Sequence, residues 1–155
     1  MNGPLPEYGI GELALRLGIA TLLGALLGFN RERTGHSAGI RTHGMVSLSS
    51  AMITLIALMM FAQLRGDAAQ PDPLRVVQGL AQAIGFIAAG LIFVRGGDVR
   101  NLTTAANIWL ATSIGIACGA GYWQLVAVAF TLGLLLLVVV KIVKRRIPGL
   151  DGEEG

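Results

Sequence analysis

Charge is scarce in this sequence: 14% of its 155 residues are Asp, Glu, Lys or Arg, against about 25% in an average soluble domain. With 54% of the chain hydrophobic, so few charges cannot coat a soluble globule of this size. A chain this rich in apolar side chains is not disordered either. The single cysteine, Cys118, excludes an internal disulfide framework and a cysteine-cluster metal site. Residues 1–9 contain Glu7 but no Lys or Arg, so the basic region of a cleaved signal peptide is missing and the first apolar segment is expected to remain in the mature protein. No connection between apolar segments is long enough to build a second domain. These absences leave an integral membrane protein of the all-α class.

Five segments are apolar over the roughly 20 residues needed to cross a hydrocarbon core about 30 Å thick: Ile10–Phe29, Gly44–Ala62, Leu74–Val94, Thr103–Ala120 and Trp123–Val143. They predict a polytopic bundle of five transmembrane helices occupying residues 1–143, followed by a short tail, residues 144–155, basic and then acidic. Residues 63–73 (QLRGDAAQPDP) read as a water-exposed loop. Residues 119–124 (GAGYWQ) read as a tight turn with Tyr122 and Trp123 at the membrane interface. If the N-terminus lies outside, nine basic residues are cytoplasmic (Arg31, Arg33, Arg41, Arg95, Arg100, Lys141, Lys144, Arg145 and Arg146) and two, Arg65 and Arg75, are external. That asymmetry predicts an external N-terminus and a cytoplasmic C-terminus. The net charge of +3 then reflects topology rather than affinity for nucleic acid. A bacterial inner (plasma) membrane is the expected location.

Helical periodicity draws lines along the spans. In the first, Ala14, Gly18, Thr21, Ala25 and Gly28 share a side, with Gly24 and Gly28 forming a GxxxG pair suited to close helix contact. Glu12 and Arg16 lie opposite, spaced to pair, with Arg16 near enough to the outer end to reach the interface. Span two carries His43, Ser47, Ser50, Ala51 and Thr54. Span three carries Gln78, Gln82, Gly85 and Ala89, and span four Thr104, Asn107, Ala111, Gly115 and Cys118. Such lines serve either as polar glue between packed helices or as a polar interior for a solute. Spans two to five hold no acidic residue, which excludes a carboxylate proton relay, and Cys118 reads as a small packing residue.

The densest chemistry falls on the predicted cytoplasmic face. Arg31, Glu32 and Arg33 precede Arg41, Thr42 and His43 at the start of span two. Arg95, Asp98, Arg100, Thr103 and Thr104 lead into span four. Both spans begin at this face, so their free N–H groups and positive dipole ends share one layer. Five arginines beside them favour an anion: a phosphate, a nucleotide or an acidic lipid headgroup. The alternative is that they anchor topology and hold lipid. Glu32 and Asp98 pair with arginines or, for Asp98, cap span four. Two acids among five arginines make a poor Mg²⁺ cage, so neither a metal nor a cofactor is expected. No nucleophile–base or metal-ligand spacing points to an enzyme, and His36 and His43 read as interfacial polar residues.

The stretch Gly28–His43 (GFNRERTGHSAGIRTH) resembles the signature loop of the MgtC/SapB membrane-protein family. Gly85–Phe93 (GFIAAGLIF), Val99–Ala106 (VRNLTTAA) and Gly115–Gly121 (GIACGAG) are similar to its second block. The resemblance runs from about residue 10 to 140. It implies a bacterial inner-membrane protein of low-magnesium adaptation, in some pathogens tied to intracellular survival. For its best-known members it implies control of membrane energetics through the ATP synthase. Arg31, Glu32, Arg33, Gly39, Arg41, Thr42 and His43 fall on the first block; Arg100, Leu102, Thr103, Thr104, Trp109 and Cys118 fall on the second. Asn30 stands where many relatives carry Glu, which weakens direct metal ligation, and Asn101 replaces a residue that is usually Gly. Longer relatives add a soluble cytoplasmic domain that is absent from this sequence.

Two functional classes follow. One is a non-enzymatic regulator whose cytoplasmic arginine layer engages an anionic ligand, an acidic lipid or a partner protein. The other is a small transporter or channel for Mg²⁺ or another solute. Span one has both a GxxxG side and a leucine side, a surplus of packing surface that predicts a homodimer.

Overall fold

The computed structural model describes residues 8–33, 38–64, 72–95 and 98–146, with backbone alone for residues 95, 98 and 140–146. His36 and nearly all of the tail lie outside the described residues, as do the side chains of Arg95 and Asp98. Five helices follow one another: α1 (Ile10–Glu32), α2 (Ile40–Leu64), α3 (Leu74–Leu91), α4 (Leu102–Ala120) and α5 (Trp123–Arg146). The first four are long and apolar enough to cross a membrane. The fifth has 24 residues, about 36 Å of helix, with its described apolar part at Trp123–Val139. This is a multi-pass membrane protein, consistent with a bacterial inner membrane.

The bundle is built on three helices. α1, α2 and α4 pack face to face, and glycine lets their backbones meet. A Cβ on Gly24 would stand 2.6 Å from the His43 carbonyl oxygen, and one on Gly28 2.5 Å from that of Gly39. On the other side of α2, a Cβ on Gly115 would strike the Ser47 carbonyl, and one on Gly119 would lie 2.5 Å from that of Ala51. Ala20, Leu27, Ala51, Ala111, Ile114 and Cys118 fill the space between. The small face of α1 is shorter than its sequence suggests, since Ala14 and Gly18 are exposed. Its GxxxG pair, Gly24 and Gly28, is packed against α2 inside the chain, so that part of α1 offers no open surface to a second copy. α3 and α5 flank α4, α5 touching it where Gly133 faces Leu110. Both turn large apolar side chains outward, among them Phe86, Leu132 and Leu136, as lipid contact requires.

Two of the differences from the expected boundaries shape the site. α2 begins at Ile40, placing Arg41, Thr42 and His43 in its first turn. α3 ends at Leu91, short of the expected Val94, and a β-hairpin follows: β1 (Phe93–Arg95) pairs antiparallel with β2 (Asp98–Arg100), Val94 opposite Val99. Aromatic and β-branched residues flanking Gly96-Gly97 favour a tight hairpin over continued helix. Asn101 then takes a left-handed conformation, φ 64°, which few residues other than Gly tolerate as readily as Asn. Its side-chain amide donates to the Leu91 carbonyl at 3.0 Å. The position where the family resemblance implies Gly is a left-handed turn, and Asn adds a tie across the base of the hairpin.

Candidate functional site

Where α2 and α4 begin, α1 ends. Arg31, in the last turn of α1, is buried and donates from Nη2 to the Thr104 hydroxyl at 2.5 Å. Thr104 is in the first turn of α4 and wholly buried. Glu32, its neighbour, turns to α2 instead: its carboxylate accepts the Ile40 N–H at 2.8 Å. A carboxylate there satisfies one of the open N–H groups of α2 and suits the positive end of its dipole. Gly39 leaves the room, since a Cβ there would stand 2.5 Å from Glu32 Oε2. Arg41 and Thr42 are exposed, as is Arg33, whose guanidinium lies 5.4 Å from the Phe29 ring. Arg100 and Thr103 are half-buried. Asn101, not Asp98, holds the cap position of α4, and its side chain makes no cap hydrogen bond.

Below this layer a polar seam continues between α2 and α4, which run in the same direction. His43 is completely buried; its Nδ1 donates to the Gly39 carbonyl at 3.0 Å. Most hydroxyls in the bundle satisfy themselves one turn back on their own helix. Ser50 donates to Val46 at 2.8 Å, Thr54 to Ser50 at 2.8 Å and Thr112 to Ile108 at 2.9 Å. Three polar atoms do not: His43 Nε2, Ser47 Oγ and Asn107 Nδ2 are buried without a hydrogen-bond partner among the described residues. Buried polar groups in native proteins are nearly always satisfied, so these three mark the chemically unfinished part of the seam. The lines on α2 and α4 thus face inward as expected. The line on α3 does not, because Gln78, Gln82 and Ala89 are exposed and only Gly85 is half-buried. Cys118 is packed in the apolar core.

At the other end of the bundle Arg16 does more than pair with Glu12. Its Nη2 donates to Glu12 Oε1 at 2.5 Å and its Nη1 to the Gly119 carbonyl at 2.7 Å, while the guanidinium lies 4.6 Å from the Tyr8 ring. A cation on a carbonyl of the last turn of α4 complements that helix dipole. Gly121, at φ 80°, ends the helix and leaves space for the guanidinium. Sequence reading missed this role, since Arg16 and Gly119 are 103 positions apart. The spacing does hold a signal: Arg16 to Arg31 on α1 and Thr104 to Gly119 on α4 are both 15 residues. Among the described residues no three His, Cys, Asp or Glu side chains gather as metal ligands.

Comparison with known proteins follows the same span. The family model described as the MgtC family matches residues 17–146. The chain is 39% identical over 132 residues to the protein SrpB of Synechococcus elongatus, covering 78% of this chain and 70% of that protein. It is 34% identical over 129 residues to the putative magnesium transporter YhiD of Escherichia coli K12, covering 83% and 60%. It is 37% identical over 120 residues to the protein MgtC of Brucella abortus, covering 77% and 48%. The chain therefore spans between about half and 70% of the length of these relatives. No solved structure matches it.

Proposed function

The chain belongs to the MgtC family, and on that premise we propose that it is a non-enzymatic inner-membrane regulator linked to magnesium homeostasis, acting through an anion site at the Arg31 end of the bundle. The observation that carries the reading is the buried Arg31 guanidinium on Thr104, placed where α2 and α4 both begin. Two positive dipole ends and a buried cation in one layer form an arrangement that an anion stabilises. Arg33, Arg41 and Arg100 extend the same positive layer toward water. In this reading the Arg31 end faces the cytoplasm, because nine of the 12 basic residues gather at that end in sequence order and basic loops stay inside. The link to magnesium rests on the relatives, one of which is named a putative magnesium transporter. The partner is an anionic ligand, an acidic lipid or another membrane protein; for the last, the family likeness points to the ATP synthase.

Thermal unfolding of the purified protein with inorganic phosphate, ATP or phosphatidylglycerol tests the site and separates the three sources. At least one of them should raise the midpoint of the wild type and of Arg75→Gln, an exposed residue at the other end, but not of Arg31→Met or Arg100→Gln. An equal response in all four proteins, or none in the wild type, overturns it.

The three unsatisfied seam atoms favour a second reading, a small transporter. It expects Mg²⁺ flux in proteoliposomes that Asn107→Leu reduces about ten-fold or more, and absence of flux in the wild type removes it.

A further inference from the structure

α3 carries a polar line on its outer surface. Among the described residues, the side-chain amides of Gln78 and Gln82 have no hydrogen-bond partner, and both face outward. α3 has 18 residues, about 27 Å of helix, and Gln82 is the ninth. It therefore lies about 13 Å from either end, beyond the reach of its side chain to water. An amide exposed to hydrocarbon at that depth is costly unless another polar group meets it.

The surroundings of Gln82 are shaped for close approach. At 100° per residue, Arg75, Gln78, Gly79, Gln82, Phe86 and Ala89 fall within an arc of about 100°, and all six are exposed. Gly79, Gly85 and Gly90 have open space where a Cβ would stand. Gly24, Gly28, Gly115 and Gly119 in the three-helix core are instead closed against a neighbouring backbone. These three glycines of α3 thus make no close contact inside the chain.

We propose that this face of α3 joins two copies of the chain, with Gln82 at the two-fold axis. A carboxamide offers both a donor and an acceptor, so Gln82 facing Gln82 of a second copy makes two reciprocal hydrogen bonds. That is the self-complementarity an isologous interface requires. The open glycines let the helices approach, and interhelical amide bonds then form in a medium without competing water. Arg75 lies in the first turn of α3, where its long side chain carries the charge out to water. The contact is independent of the anion site at Arg31.

Oxidative cross-linking of cysteine variants in proteoliposomes decides the matter. Ala89→Cys should give a band of twice the monomer mass, while Val128→Cys, exposed on α5, should not; Cys118 is buried in both. Adding Gln82→Leu, a more lipophilic side chain that keeps the helix in the membrane, should weaken self-association about ten-fold. Gln82→Asn should restore most of it. A monomeric Ala89→Cys, equal cross-linking at Val128→Cys, or an association unchanged by Gln82→Leu overturns the proposal.

Discussion

The three-helix core and the two flanking helices answer the same solvent in opposite ways. α1, α2 and α4 meet through glycine and alanine, with backbone close to backbone and polar side chains sealed between them. α3 and α5 present Phe, Leu and Val outward and touch the core along narrower strips. Lipid tails are as apolar as leucine, so apolar area alone does not drive helices together in a membrane. Close packing and hydrogen bonds do, and both are concentrated where the side chains are smallest. Stability therefore resides in the residues with the least to bury.

The sharpest break of that contrast stays within one helix. Gly24→Ala pushes a methyl into the His43 carbonyl and the Ser47 Cβ, both 2.6 Å away, and should cost about 3 kcal/mol. Gly18→Ala adds a Cβ with nothing within 4 Å and should be neutral or stabilising by up to about 1 kcal/mol. Unfolding midpoints in detergent distinguish them, and equal effects would refute the packing account. Arg16→Met comes next. It removes charge-assisted hydrogen bonds to Glu12 and to Gly119 and should destabilise by about 2 kcal/mol, measured the same way. Smallest is the hairpin base. Asn101→Ala places an ordinary residue at φ 64° and removes the tie to Leu91, costing about 1–2 kcal/mol. Asn101→Gly loses the tie alone and should cost about half as much or less.

The five helices were legible because hydrocarbon demands uninterrupted apolar runs, and their alternation alone brings the starts of α2 and α4 to one end. The inward lines on α2 and α4 were legible too. Periodicity shows that residues share a side of a helix but not which way that side turns, so the equivalent line on α3 was placed inside and is found outside. The hairpin was hidden because Phe93 and Val94 continue the apolar run of α3, although Gly96-Gly97 carried the turn signal. The site at Arg31 was legible in its parts. What the sequence could not assign was which arginine is buried: Arg31 and Arg33 differ by two positions, yet one reaches Thr104 and the other lies over Phe29.

Because α1 grips α4 at two points separated by the same rise on both helices, about 22 Å, neither can slide along the other without releasing an arginine. A thicker or thinner bilayer must then be met by tilting this pair as a single strut, leaving α3 and α5 to take up the residual mismatch. Arg16 and Arg31 thereby convert a soft helical bundle into a ruler of fixed length.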